Sequence, residues 1–171
     1  MKKAFILLGG NLGERAYFLR QAIQKINELP DTTIIQYSSV YETSPWGFKH
    51  ENDFLNQVIA VKTLMPPVQF MGALLETENQ LGRKRNGNGY EGRNIDIDML
   101  FYGETVMNTH KLKLPHPRLH LRNFTLIPLN EIAPNLIHPI FQKTVRQLMI
   151  ECPDTQKVNL FHYQKNPALI K

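Results

Sequence analysis

Gly82-Arg83-Lys84-Arg85-Asn86-Gly87-Asn88-Gly89-Tyr90-Glu91-Gly92-Arg93-Asn94-Ile95-Asp96-Ile97-Asp98-Met99-Leu100 joins a glycine-rich basic half to a half that alternates apolar and acidic residues. From Ile95 to Met99 the period is two, so a strand sets Asp96 and Asp98 on one face and Ile95, Ile97 and Met99 on the other. Neighbouring carboxylates repel, and a divalent cation is the usual reason for a sheet to hold them together. Arginines just upstream make a polyphosphate the natural companion of that cation. Continued through the apolar run to Tyr102, this segment is the fourth strand of the series on which the fold turns.

Upstream, Pro66-Pro67 opens a helix whose stripe is Val68, Met71, Leu74, Leu75 and Leu81, ended by Gly82. Glu78 falls inside that stripe, where a carboxylate needs a partner or a wet cleft. Near the basic loop, that means a site role or a structural arginine pair. Before the helix, Asp53 to Thr63 reads as a strand with Phe54, Asn56, Val58 and Ala60 on one face. Asn56 is polar on a largely apolar face, equally readable as a satisfied amide and as a ligand contact. Thr32 to Tyr41 is β-branched and aromatic and reads as another strand, followed by the loop Thr43-Ser44-Pro45-Trp46-Gly47-Phe48.

The chain opens with the wholly apolar Ala4 to Leu8, a central strand, then the turn Gly9 to Gly13 with Asn11 as a candidate helix cap. No Gly-Lys-Ser/Thr follows, so a structural turn is favoured over a phosphate cradle. A helix from about Glu14 to Leu29 comes next. Strand, helix, strand, strand, helix, strand is a split βαβ order, which predicts an α+β, ferredoxin-like βαββαβ sandwich. Downstream lie a small accessory strand at Lys111 to Leu114, the rigid Pro115-His116-Pro117-Arg118, and extra helices over Thr125 to Ala133 and Thr144 to Glu151. A single domain over 1–151 is expected, with 152–171 as a partly ordered tail.

With 171 residues, 42% apolar and 20% charged, the chain is long enough for a core of its own. Its lone cysteine, Cys152, excludes an intramolecular disulfide and fits a reducing compartment. The apolar run after Met1-Lys2-Lys3 is too short for a secretory core, and nothing approaches a membrane span, so a cytoplasmic protein without a membrane partner is expected. A net charge of +5 points to acidic partners without choosing between nucleic acid and nucleotides.

Arg93-Asn94-Ile95-Asp96-Ile97-Asp98 resembles the Arg-x-x-Asp-x-Asp signature of the 6-hydroxymethyl-7,8-dihydropterin pyrophosphokinase family of folate biosynthesis. Leu8 to Gly13, Tyr41 to Gly47, Asp53 to Asn56, Glu78 with Gly82 to Arg85, and Leu114 to Arg118 fit in the same order, over residues 4 to 150. The resemblance implies transfer of diphosphate from ATP to the pterin hydroxymethyl oxygen, releasing AMP. It implies two Mg²⁺ ions on Asp96 and Asp98, with Arg83 and Arg93 clamping phosphates from a closing loop. Arg85, His116 and Arg122 are assigned to the nucleotide phosphates and Glu78 to the adenosine side. Thr43, Ser44, Pro45, Trp46 and Asn56 are assigned to the pterin edge, and Phe54 and Phe124 to stacking on its ring. The chain departs from the family at Tyr90-Glu91-Gly92, at Pro117 and at the bulky Trp46.

Two other readings compete. An RNA-binding module suits the sheet and the charge, but the aromatic strand motif is missing and the aspartates would repel phosphate. Another two-metal nucleotidyl or phosphoryl transferase keeps the aspartates and leaves Asn56, Phe124 and the Thr43–Trp46 loop unexplained. Small-molecule substrates alone, without nucleic acid, and a monomeric chain are therefore expected.

Overall fold

The computed structural model describes residues 1–47, 51–82 and 93–162. Strand β1 (Lys2–Gly10) is buried from Ala4 onward, which its unbroken apolar run requires of a strand covered on both faces. It pairs antiparallel with β4 (Phe54–Thr63) on one side and β5 (Asp96–Tyr102) on the other. Beyond β4 lie β2 (Thr32–Tyr37) and β3 (Tyr41–Thr43), both on the same edge of β4. With α1 (Arg15–Asn27) and α2 (Pro67–Gln80) between the strands, the order is the ferredoxin-like βαββαβ.

The strand expected over Thr32 to Tyr41 is thus two pieces. Ser38 breaks it: its N–H donates to the Val58 carbonyl at 2.8 Å and its Oγ accepts the Val58 N–H at 2.9 Å. A side chain that takes a backbone ladder bond ends regular pairing there. Asn11, expected as a cap, does not cap α1. Its Oδ1 accepts the Arg93 N–H at 2.8 Å and its Nδ2 donates to the Asn52 carbonyl at 3.3 Å, so a distant segment uses both ends of the amide.

Alternation sorts the core into two layers. Ala4, Ile6, Leu8, Leu55, Ile59, Ile97 and Met99 pack beneath α1 and α2. Phe5, Leu7, Val58, Ala60, Leu100 and Phe101 pack against α3 (Asn123–Ile132) and α4 (Val145–Ile150). The register of β1 with β5 jumps at Leu100, so Leu100 and Phe101 both reach this second layer, as a β-bulge allows. Helices α3 and α4 cover only the end of this face nearer Phe5. Toward Gly9 the face opens into a cavity.

The expected accessory strand is one arm of a hairpin, β6 (Met107–Asn108) with β7 (Lys113–Leu114). The segment from Cys152, expected as a partly ordered tail, runs back to the sheet. Strand β8 (Asn159–Leu160) pairs with β3, and Phe161 packs on the first core layer. Residues 163–171 lie outside the described residues.

His138 organises the loop before α4. It is 3% exposed, stacks on Phe141 at 4.4 Å, and its Nδ1 accepts the N–H groups of Ile140 and Phe141, each at 3.3 Å. Burial, helped by the nearby His120, lowers its pKa to about 4. The folded protein therefore refuses a proton that the unfolded chain accepts below about 6.5. Stability is full above that pH and falls as the pH drops toward 4, by about 3 kcal/mol at most from this imidazole. Thermal melts of wild type and His138→Gln from pH 7 to 4 test it. The variant should show a shallower fall, and equal slopes would assign the titration elsewhere.

Candidate active site

The floor of the cavity is a row across three strands. Gly9 stands opposite Asn56 on β4 and opposite Asp96 on β5, and Leu7 stands opposite Asp98. The bare Gly9 keeps the row open, because a Cβ there would come to 3.0 Å from Asn56 Oδ1. Around this floor stand Thr43, Ser44, Trp46, Phe54, Arg93, His116, Arg118, Arg122 and Phe124, enclosing about 280 Å³. That volume is near the lower end for small-molecule sites.

Arg93 lies against the aspartates, its Nη1 2.5 Å from Asp96 Oδ2 and its guanidinium 5.8 Å from the Phe54 ring centre. The glycine turn is what fixes it. The Arg93 carbonyl accepts the N–H groups of Asn11 at 2.9 Å and Leu12 at 3.2 Å, and Gly10 packs on the Asn94 carbonyl. This turn is a holder of Arg93, in keeping with its structural reading.

Asp98 is the strained member of the site. Burial first, then the charges of Asp96 and Glu78, raise its carboxyl to about 7, while Arg122 and Arg93 pull it back down. His116 moves the other way, to about 4, through burial and the charges of Arg122 and Arg118. Its Nδ1 accepts the Arg118 N–H at 3.2 Å, so the neutral ring carries its proton on Nε2, a donor.

The opposite wall is aromatic. Trp46 and Phe124 meet edge to face with centres 6.4 Å apart, and the Arg122 guanidinium lies 4.6 Å from the Trp46 ring and 5.4 Å from the Phe124 ring. Asn56, 3% exposed, donates from Nδ2 to Thr43 Oγ1 at 2.9 Å. Asn56 is thus a satisfied amide that also lines the cavity.

A profile of the 7,8-dihydro-6-hydroxymethylpterin-pyrophosphokinase family matches residues 5–134. The chain belongs to this family. A relative in Aquifex aeolicus, 2-amino-4-hydroxy-6-hydroxymethyldihydropteridine pyrophosphokinase, is 38% identical over 151 residues, covering 88% of this chain and 92% of that one. The enzyme of the same name from Haemophilus influenzae is 32% identical, covering 94% of this chain and 99% of that one. The crystal structure of Plasmodium falciparum HPPK-DHPS with pteroate superposes with a TM-score of 0.70 at 15% identity. It covers 88% of this chain, and the chain spans 44% of that protein's length, a likeness of fold.

Within this family member, two of the assigned residues stand apart from the cavity lining. Glu78 is 1% exposed and outside the cavity wall, and its Oε1 accepts the Ile97 N–H at 2.6 Å. The reason is the sheet edge: β5 is an outer strand, and its outward N–H needs an acceptor once helix α2 covers it. Glu78 thereby grips the residue between the two aspartates. Pro45 is also absent from the wall, its carbonyl instead accepting Gln156 Nε2 at 3.0 Å. Arg83, Arg85 and Tyr90-Glu91-Gly92 lie outside the described residues. Arg118, Leu7 and Gly9 line the cavity without having been assigned a site role. Arg118, a cation two residues after His116, carried the one legible signal among them.

The donor set suits a hard cation shared with phosphate. Asp96 and Asp98 offer carboxylate oxygens on one face, and Asp98 is a carboxylate that its surroundings leave under-compensated. Among the described residues no group of three or more His, Cys, Asp and Glu forms a closed metal cage. Mg²⁺ is commonly bound in this way, through one or two carboxylates with substrate phosphates and water completing the shell.

Proposed function

We propose that this cavity seats the triphosphate of ATP and a hydroxymethyl dihydropterin side by side, and that diphosphate passes from the first to the second. The chain is a pyrophosphokinase of folate biosynthesis. The observation that carries the site assignment is the row Asn56, Gly9, Asp96, which joins a heterocycle-sized aromatic slot to a carboxylate pair.

In the reaction the hydroxymethyl oxygen forms a bond to the β-phosphorus, the bond from that phosphorus to the AMP oxygen breaks, and the hydroxyl proton is released. Asp96 and Asp98 would hold two Mg²⁺ ions, which neutralise phosphate charge and lower the pKa of the attacking hydroxyl. Arg93 exchanges its Asp96 contact for phosphate oxygens, a bidentate pairing to which its guanidinium is suited. His116 offers Nε2–H, and Arg122 its positive charge, to the same anion. Arg83 and Arg85 complete the phosphate clamp. On the other side Asn56, Thr43 and Ser44 bond the pterin edge, while Trp46, Phe54 and Phe124 enclose its ring. Placement of the acceptor oxygen against the phosphorus supplies much of the rate.

The cytoplasm as location and a monomer as working unit belong to the same proposal, the first supported by the lone cysteine. Among the described residues no helix is long and apolar enough to cross a membrane. The deciding assay combines protein, ATP, Mg²⁺ and 6-hydroxymethyl-7,8-dihydropterin and separates the nucleotides. AMP should form in step with pterin diphosphate; ADP as the product would overturn the chemistry.

A further inference from the structure

Two rims of the cavity, the Ser44–Trp46 loop and the start of α3, are held from outside by one short turn. Asp154 Oδ2 accepts the Asn123 N–H at 2.9 Å, and the Asp154 carbonyl accepts from Asn123 Nδ2. Asn123 lies between Arg122 and Phe124, both in the cavity wall. The N-cap position of α3, Arg122, gives no side-chain cap of its own, so Asp154 supplies the anionic acceptor that a helix start lacks. The other carboxylate oxygen, Oδ1, accepts the Gln156 N–H at 2.9 Å. Gln156 Nε2 then donates to the Pro45 carbonyl at 3.0 Å and to Ser44 Oγ at 3.3 Å, directly beside Trp46.

A continuous path therefore runs from Phe124 through Asn123, Asp154, Gln156 and Pro45 to Trp46, the two rings whose centres stand 6.4 Å apart. Strand β8 on β3, with the Phe161 N–H donated to the Val40 carbonyl at 2.8 Å, anchors the segment beyond the turn. All of these anchoring residues from Asp154 onward lie outside the stretch 5–134 that the family profile matches.

We infer that Asp154-Thr155-Gln156 is a clasp that sets the width of the aromatic slot and so tunes affinity for the pterin ring. Its residues position the walls without touching the reacting atoms, and the inference rests on the proposed function of the slot. The phosphate side is held chiefly by the glycine turn and β5 and meets the clasp only through Arg122, which precedes Asn123 and lies on the slot's rings. Losing the clasp should therefore weaken one substrate selectively. The slot walls gain freedom, and the pterin must then order them on binding.

The test compares wild type, Gln156→Leu and Asp154→Ala. Binding of 6-hydroxymethylpterin is followed by its ring fluorescence, and binding of Mg²⁺-ATP by calorimetry, with KM and kcat from AMP release. Gln156→Leu keeps most of the side-chain bulk and removes the carboxamide whose Nε2 makes both bonds to the loop, so the pterin Kd and KM should rise about fivefold, the net scale of a hydrogen-bonding group lost outside the ligand contact. Mg²⁺-ATP affinity and kcat at saturating pterin should stay within about twofold. Asp154→Ala should show a larger loss of the same kind, and Asp154→Asn, which retains an acceptor, a smaller one. A folded Gln156→Leu protein with unchanged pterin affinity, or with equal losses for both substrates, overturns the clasp. If Asp154→Ala does not fold, Gln156→Leu alone decides. Wild type that fails to bind pterin or release AMP would overturn the functional reading instead.

Discussion

Asp98→Ala should abolish most diphosphate transfer, with a fall of about a thousandfold or more in AMP release, while pterin binding changes little. Removing one well-aimed electrostatic group from a preorganised site typically costs about 10²–10³ in rate, and a carboxylate in the proposed metal-holding role belongs at the upper end of that range. Asp96→Ala should lose turnover similarly, although its carboxylate also answers Arg93 at 2.5 Å, so that its removal frees a cation in the cavity. Stability separates the two. The folded pKa of Asp98 is raised to about 7, above its ordinary value of 3.8, because burial, Asp96 and Glu78 disfavour its charge. A raised carboxyl means that the folded state binds the proton more tightly than the unfolded chain. The penalty is absent below about pH 4, grows up to about pH 7, and is constant above it. Replacing Asp98 by alanine removes that penalty, so the metal-free variant should melt higher than wild type at pH 8, by on the order of a few kcal/mol of stability. Near pH 4 the advantage should vanish. An Asp98→Ala protein that retains turnover, or that melts well below wild type at pH 8, would show the carboxylate to be a structural partner.

Such strain is what the Ile-Asp-Ile-Asp pattern announces. The period of two in β5 and the matched alternation in β4 fixed which residues could share a face before any contact was known. Asp96, Asp98, Phe54 and Asn56 accordingly line one cavity. The features that escaped the sequence depend on where the sheet ends. Glu78 reads from its place in an apolar helical stripe as a site acid or half of an arginine pair, and no local pattern shows that it also accepts the outward N–H of Ile97, available because β5 is an edge strand. Asn11 satisfies the local rule for a cap, but a segment about eighty residues away offers it better partners. Ser38 looks like any strand residue until its hydroxyl takes the Val58 N–H. The two residues of β8 carry no periodicity, and their order comes from the edge of β3 and from the side chains of Asp154, Gln156 and Phe161. Local pattern thus placed the face that lines the cavity, whereas the supports of its walls are tertiary.

Gly10→Ala tests how firmly one such support controls the chemistry. A Cβ at position 10 would come within 2.2 Å of the Asn94 carbonyl oxygen and 2.9 Å of its carbon, both backbone atoms that no side-chain rotation can clear. Either β1 bends or the Arg93-Asn94 segment moves outward. If it moves, the bonds from the Asn11 and Leu12 N–H groups to the Arg93 carbonyl stretch, as does the bond from the Arg93 N–H to Asn11 Oδ1. Overpacking of this kind costs about 1–3 kcal/mol, to which the weakened hydrogen bonds add. Arg93 and Asp96 would shift together, since one lies three residues from the other and they share a contact. A displacement of about 1 Å at a reacting group can cost about 10²-fold in rate, so AMP release should fall by roughly that factor even at temperatures where the variant is folded. Gly72→Ala is the contrast: a Cβ there meets nothing within 4 Å, and in the middle of α2 alanine should stabilise by about 0.5–1 kcal/mol with activity unchanged. Melting curves and AMP release on the two variants decide the point. A Gly10→Ala protein with wild-type melting and turnover would mean that the turn yields without moving Arg93, and the glycine would then have no hold on the site.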